Sequence, residues 1–379
     1  MLLSLRRHSR GGLIVALDIG SRQTKVVAAS PASGSVTVRA AEAAATPPGS
    51  AEGLALSEPA PVASLVREIA ETVGAVGCPG FSVIGGRQVI LRWVTTPPLA
   101  REDALDAVRV EGAKLLPMPP HEAAMDVQLL PGGDTDSDGR WSRGMVIAAP
   151  KSLVEKHAEC MELAGLEPAG LDVIQLALLR ALNGTSSVNM WESHPWAIVA
   201  LGASATELLV ADGDTLAFCR TIAWGTDRLT AAFEKGDDDS ATAATDGLTI
   251  SCEGQIEKDG RALSEEVQRS AGLATLAAEI KRSLIYYQMQ FPEGSYRGVV
   301  GRIVLTGGGA LIPGMHAYLQ RQLETAVQVG DPFRDLDAHT ESEAFQALNA
   351  QPTAFAPCLG LIIGAGSLDD TCTGAEHTR

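Results

Sequence analysis

The chain has 379 residues, enough for two or three domains around a large buried core. Hydrophobic residues make up 45% and charged residues 20%, the balance of an ordinary globular protein. With 46 acids against 30 bases the net charge is −16, the wrong sign for a protein whose main partner is nucleic acid, and only 4% aromatics leave little for a base-stacking or sugar-binding surface.

Residues 1–11 are a basic tail that lacks the apolar core of a signal peptide; Arg6, Arg7 and Arg10 could touch an anionic membrane surface or simply be solvated. Leu13 to Leu17 reads as a strand, DIGSRQTK as a tight turn, and VVAAS as a returning strand. Segment 43–61 reads as a loop. Phe81 to Leu91 and Trp93 to Thr96 read as strands, and Arg101 to Leu116 as a helix closed by PMPP. After two further strands, Met125 to Leu130 and Gly144 to Ala149, separated by loop 131–143, a helix is expected from Ser152. Ser152-Leu153-Val154-Glu155 has the form of a capping box, and Gly165 with Pro168 ends that helix. His157 on it is expected to be partly exposed. Residues 81–164 are thus expected to form an inserted small α/β subdomain.

A second hairpin follows: strand Ala197 to Leu201, turn GASAT, then LLVADGDTLAFCRTIAWG. Segment 234–262, with Asp237, Asp238 and Asp239, reads as a solvated acidic loop. Leu276 to Met289 reads as a helix, and Arg302 to Leu305 as a strand running into TGGG ahead of a helix through Met315 to Leu323. The repeated strand–turn–strand device suggests two related halves, each built on a sheet.

The turns carry the candidate chemistry. Asp18 at a strand end, Gly20 and Ser21 form a turn whose amides and hydroxyl can face an anion, while Asp18 can hold a hydrated Mg²⁺. Lys25, four residues beyond Ser21, could reach the same phosphates. A plain hairpin whose Asp and Ser satisfy their own backbone is the competing explanation. Gly202, Ala203, Ser204 and Thr206 repeat the turn with two hydroxyls. Gly307, Gly308 and Gly309 let the backbone lie flat against a planar or charged ligand. Glu279 and Arg282, one helical turn apart, suit a ribose hydroxyl and a base edge, although a surface ion pair uses the same spacing.

In this order the four elements resemble the actin–Hsp70–sugar kinase superfamily, with two phosphate loops, a connecting helix and an adenosine-binding TGGG loop. The segments EGAKLLPMPPHEAAMDVQLL, IAAPKSLVEKHAECMELAGLEPAGLDVIQLALLRAL and EIKRSLIYYQ resemble the PilM family of type IV pilus assembly, related to FtsA and the cytoplasmic domain of GspL. The likeness runs over about 12–366. It implies an α/β, actin-like (ribonuclease H-like) two-lobed ATPase fold with an SHS2-like insertion. The implied lobes are 12–80 with 165–195 and 196–233 with 301–366, a second-lobe insertion at 234–300, and a polar tail at 367–379.

The resemblance further implies ATP and Mg²⁺ as cofactors, with Asp18 as the metal-water ligand. Glu279 and Arg282 would then lie beside the adenosine, and Gly307, Gly308 and Gly309 beneath it. It implies a cytoplasmic protein, peripheral to the inner membrane, that grips the short cytoplasmic tail of a PilN-like partner along Ser82 to Val94 and the Arg101–Leu116 helix. Motor ATPases are further possible partners. The chain departs from the pattern at Ala200, where the second loop usually opens with Asp, and at Ile174, where a water-orienting Glu or Gln is expected with Gln175 one residue away. Phosphoryl transfer rests on positioning and charge stabilisation, so ATP binding with little or no hydrolysis is expected.

The six cysteines, Cys78, Cys160, Cys219, Cys252, Cys358 and Cys372, include no C-x-x-C pair, so zinc spacing and a disulfide framework are not indicated and mostly buried thiols are expected. A Walker P-loop, tight metal-binding histidine spacing and a G-x-S-x-G elbow are all missing. Two alternatives remain on the same fold: an FtsA-like division protein polymerising at the membrane, disfavoured by the polar DDTCTGAEHTR tail, and a small-molecule kinase, for which no acceptor-facing Asp stands out.

Overall fold

The computed structural model describes residues 3–4, 12–32, 35–52, 55–130, 140–183, 194–230, 247–262, 264, 271–292, 298–334 and 343–373. Strand β1 is Leu3–Ser4, β2 Ile14–Ile19, β3 Gln23–Ala32 and β4 Ser35–Ala45. A small hairpin of β5 (Ala51–Glu52) and β6 (Ala55–Leu56) precedes helix α1 (Pro59–Thr72) and β7 (Pro79–Ile84). Every residue of β2 is buried, the pattern of a strand covered on both faces. Together with β11 (Glu167–Val173), these strands build a six-stranded sheet in the order β1-β11-β7-β2-β3-β4. Helices α1 and α3 (Lys151–Leu163) pack on one face. Helices α4 (Ile174–Leu182) and α9 (Ala356–Thr373) pack on the other, and the short α8 (Gln346–Ala350) lies against β4.

The second lobe is a five-stranded sheet in the order β14 (Thr215–Ile222), β13 (Thr206–Asp212), β12 (Trp196–Leu201), β18 (Arg302–Thr306), β19 (Ala326–Val329). Period-2 alternation splits β12 between two cores. Ala197, Val199 and Leu201 join a cluster with α6 (Leu273–Gln288) and α7 (Met315–Leu323), reached through the short helix α5 (Asp227–Thr230), while Ile198 and Ala200 join the core of the first lobe. Helix α4 is packed between the lobes, which is why eight of its nine residues, Gln175 included, are buried.

Between β7 and α3 the chain builds a separate antiparallel sheet, β8 (Ile90–Leu99), β10 (Trp141–Pro150) and β9 (Ala123–Leu129), in that order, with helix α2 (Arg101–Ala113) against it. Val94, Val108 and Val146 form its own small core, and Leu91, Met145 and Ile147 join the first-lobe core.

The inserted unit is narrower than the expected 81–164. The run from Phe81 to Leu91 breaks at Gly85 and Gly86, where Gly86 takes φ 77 and a 3₁₀ turn over Gly86–Gln88 redirects the chain. Strand β7 therefore pairs with β2 and β11 in the first-lobe sheet, and α3 packs on α1. The capping box does not form: α3 starts at Lys151 behind Pro150, with no side-chain cap. His157 is buried rather than partly exposed, its Nδ1 2.8 Å from Ser82 Oγ. The loop expected at 43–61 holds β5, β6 and the first turn of α1, where Pro59 fits because the first amides of a helix have no intrahelical acceptor to lose. Within 234–262, strands β15 (Leu248–Ile250), β16 (Ile256–Lys258) and β17 (Arg261–Ala262) form a sheet.

Asp237, Asp238, Asp239 and the arginines Arg6, Arg7 and Arg10 lie outside the described residues. Of the described thiols Cys160 and Cys358 are buried, Cys78 and Cys219 half-buried and Cys252 exposed. Among the described residues no helix is long and apolar enough to cross a membrane.

Helices α4 and α9 cross where Gly360 lets the backbones touch: a Cβ there would sit 1.8 Å from the Ala177 carbonyl oxygen. Overpacking of this kind costs about 1–3 kcal/mol. Gly360→Ala is expected to lower the thermal midpoint by several degrees; an unchanged midpoint would contradict so close a crossing.

Candidate functional site

The two hairpins carry one eight-position pattern, DIGSRQTK from Asp18 to Lys25 and ALGASATE from Ala200 to Glu207. The Gly20 amide donates to the Gln23 carbonyl and the Gly202 amide to the Ala205 carbonyl, both at 3.0 Å. Glycine is needed at both turns, because a Cβ would lie 2.9 Å from the first carbonyl oxygen and 2.7 Å from the second. Thr24 and Thr206 are both fully buried. Asp18 faces Lys25 across the first hairpin, and Ala200 faces Glu207 across the second.

The hairpin tips converge. Ser21 Oγ donates to Ser204 Oγ at 3.3 Å, and Arg22 pairs with Asp227 while donating to Thr230 Oγ1 at 3.0 Å. Between the tips lies a cleft of about 610 Å³, within the size range of small-molecule sites. It brings together Asp18, Gly20, Ser21, Lys25, Gly202, Ala203, Ser204, Gly307, Gly308 and Gly309. The glycine wall is braced from behind. Thr353 accepts from the Gly307 amide at 3.2 Å and from Thr306 Oγ1 at 3.0 Å, and its own hydroxyl donates to the Gly307 carbonyl at 2.9 Å. Gly307 takes φ 81, and a Cβ there would meet Leu201 O at 2.5 Å, whereas a Cβ on Gly308 would meet nothing within 4 Å.

Asp18 is almost fully buried. Its Oδ2 accepts from Lys25 Nζ at 2.9 Å, and its Oδ1 has no hydrogen-bond partner among the described residues. An acceptor buried without a donor is costly, and a metal-bound water would satisfy it. Lys25 is itself mostly buried and committed to Asp18. Among the described residues no group of three or more His, Cys, Asp or Glu could hold a metal. A cation here would lean on one carboxylate plus ligand phosphates and water, the usual pattern for Mg²⁺.

Three expected residues do not line the cleft. Thr206 Oγ1 donates to the Trp224 carbonyl at 2.7 Å, closing the second hairpin from within. Glu279 accepts from Arg220 at 2.8 Å and pairs with Arg282 in the i,i+3 ion pair that their spacing also allowed. Ile174 lines the cleft, and Gln175 turns its Nε2 toward Glu207 at 3.0 Å.

Glu207 is the cleft residue that the sequence analysis missed. It is buried, and Thr221 Oγ1 donates to its two oxygens at 2.9 and 3.0 Å. Burial pushes its pKa up to about 7, against hydrogen bonds from Thr221, Gln175 and the Gly86 backbone that pull it down. Aligning the two hairpins would have exposed it, since it occupies the position of Lys25 with the opposite charge.

The folded protein therefore keeps a proton on Glu207 that the unfolded chain releases above about 4.5, so this group lowers stability as pH rises from about 4.5 to about 7. Buried His157, with its pKa lowered to about 4 from 6.5, acts in the opposite sense, lowering stability as pH falls through that interval. The difference between wild-type and Glu207→Gln melting profiles isolates the first effect. The variant is expected to gain relative stability between pH 5 and about pH 7; parallel profiles would contradict this.

The sequence matches the family model described as Type IV pilus assembly protein PilM over residues 16–364. No curated protein matches the chain. Among solved structures, that of a PilM-PilN type IV pilus biogenesis complex is similar with a TM-score of 0.73 and 24% identity, over 95% of this chain and 99% of that one. MreB5 of Spiroplasma citri bound to ADP is similar with a TM-score of 0.53 and 10% identity, over 97% and 100%. The ethanolamine utilization protein EutJ from Carboxydothermus hydrogenoformans follows at 0.51 and 13%, over 96% and 94%. These likenesses show a two-lobed, actin-like α/β fold, and the family match spans almost the whole of it. The chain belongs to the PilM family of type IV pilus assembly proteins.

Proposed function

We propose that this protein is an ATP-binding adaptor of type IV pilus assembly that works on the cytoplasmic side of the inner membrane and hydrolyses ATP slowly or not at all. The observation that carries the nucleotide half is the pair of matched glycine turns facing one another across the cleft, with an unpartnered Asp18 oxygen on its wall. Backbone turns of this kind cradle phosphates, and the open glycine wall suits a planar adenosine. Asp18 would hold Mg²⁺ through water, and the ion when bound would offset phosphate charge. The ADP named with the MreB5 structure supports this use of the fold.

Slow turnover follows from this chain's own side chains. Ala200 offers neither charge nor acceptor at the start of the second turn, and Ile174 is apolar where a water would need orienting. Glu207 is held by Gln175 and Thr221 with its pKa near 7, so it is a poor substitute for a free carboxylate.

The docking half rests on family membership and on the PilN named with the similar complex. A PilN-like N-terminal tail would dock on the inserted unit. Strand β8 lies at an edge of its sheet, where an extended peptide can add backbone hydrogen bonds, and Val110 leaves an apolar side chain exposed on α2.

Two sets of variants test this. Asp18→Ala removes the carboxylate, and Gly308→Arg fills the cleft from a position with room for a side chain. Each is expected to weaken MgATP binding at least about tenfold, about 1.4 kcal/mol. Unchanged affinity in both would mean that the cleft is not the nucleotide site. A synthetic PilN-like tail should bind the full chain, and Val110→Asp should weaken that binding by a similar factor; a tail that fails to bind would remove the docking half.

A further inference from the structure

A second cleft, of about 420 Å³, opens between the inserted unit and the second lobe. Arg92 and Trp93 enter it from β8, Arg143 from β10, Phe218 and Arg220 from β14, and Tyr286 from α6. The junction is fixed by Trp93 Nε1, which donates to the Leu216 carbonyl at 3.1 Å. Arg220 is held from behind by Glu279 at 2.8 Å and Ser283 Oγ at 2.9 Å, and Arg92 donates to the Leu91 carbonyl at 2.9 Å.

Two features of this cleft are independent of each other. The first is charge: three arginines line it and no aspartate or glutamate does, in a chain of net charge −16. The second is an apolar shelf beside it. Tyr286 lines the cleft, and Ile285 beside it in the chain and Met289 just past the end of α6 share its exposure, at 61%, 48% and 78%, large side chains that the fold does not use for its own core.

We propose that this cleft docks an acidic peptide segment of a partner protein, its carboxylates against the arginines and an aliphatic or aromatic side chain on the α6 shelf. Guanidinium groups bind carboxylates by charge-assisted, often bidentate hydrogen bonds, and aromatic anchors supply the buried area that holds such segments. A nucleic acid would leave the aliphatic part of the shelf uncovered, whereas a peptide brings carboxylates and an apolar side chain together. The cleft shares strand β8 with the surface proposed for the PilN-like tail but not helix α2, so Val110→Asp reads out that docking and Tyr286→Asp reads out this one.

The test is selection of random heptapeptides on the full-length protein, followed by anisotropy titration of the enriched peptides. Enrichment of Asp and Glu around one Leu, Ile or Phe is expected. Affinity should fall at least tenfold with Arg92→Glu or Tyr286→Asp, and should weaken as salt rises from about 0.05 to about 0.3 M. Tyr286 is exposed, so its variant tests the site even if Arg92→Glu fails to fold; unchanged MgATP affinity would confirm that the lobes are intact. The proposal is overturned if no acidic enrichment appears, or if both variants bind the peptides like wild type. It is also overturned if inorganic polyphosphate binds and the peptides do not, or if the only effect of the variants is to abolish self-association of the chain.

Discussion

Helix α4 is enclosed between two sheets, and the rest of the molecule is arranged around that burial. Its sequence, IQLALLRAL, is apolar on nearly all sides, and it meets α9 so closely that only glycine fits at residue 360. One face of the second-lobe sheet thereby becomes part of the first-lobe core, through Ile198, Ala200, Leu209 and Val304. With a shared core, the two hairpins have little freedom to separate, and their tips meet at Ser21 and Ser204. The cleft follows from packing well below it.

Near-symmetry makes the chemical differences between the lobes legible. The first hairpin sets an acid against a base, Asp18 and Lys25, and keeps one carboxylate oxygen open. The second sets Ala200 against Glu207, an apolar residue against an acid whose burial favours its neutral form. Under the proposed reading the first lobe would meet a hydrated cation, and the second would offer backbone and hydroxyl without a free charge. Glu207 also joins the first cleft to the second, since its partners Gln175 and Thr221 line the arginine-rich cleft.

Much of this was readable in the sequence because local rules dominate there. The turn glycines at 20, 202 and 307, the helix from Met315 to Leu323 and the strands feeding the turns all depend on near neighbours. What was not readable depends on distant partners. The run from Phe81 to Leu91 carries a turn signal at Gly85 and Gly86, but only sheet pairing reveals that its two halves belong to different units. Pro59 and Pro61 suggested a loop, yet they open α1 once its apolar face has a sheet to cover. Glu207 stands at the position of Lys25 once the two hairpin sequences are aligned, but its burial and its bonds to Gln175 and Thr221 depend on α4 and β14. Glu279 and Arg282 show the reverse: their spacing allowed two roles, and Arg220 on a neighbouring strand draws Glu279 away from the cleft.

A single sample of the purified full-length chain can test the central claim, by MgATP titration in a calorimeter with phosphate release followed in parallel. Saturable binding with no more than a trace of released phosphate is the predicted result. Steady turnover would contradict the account of Ala200, Ile174 and Glu207, and the absence of any binding heat would contradict the role given to the paired hairpins.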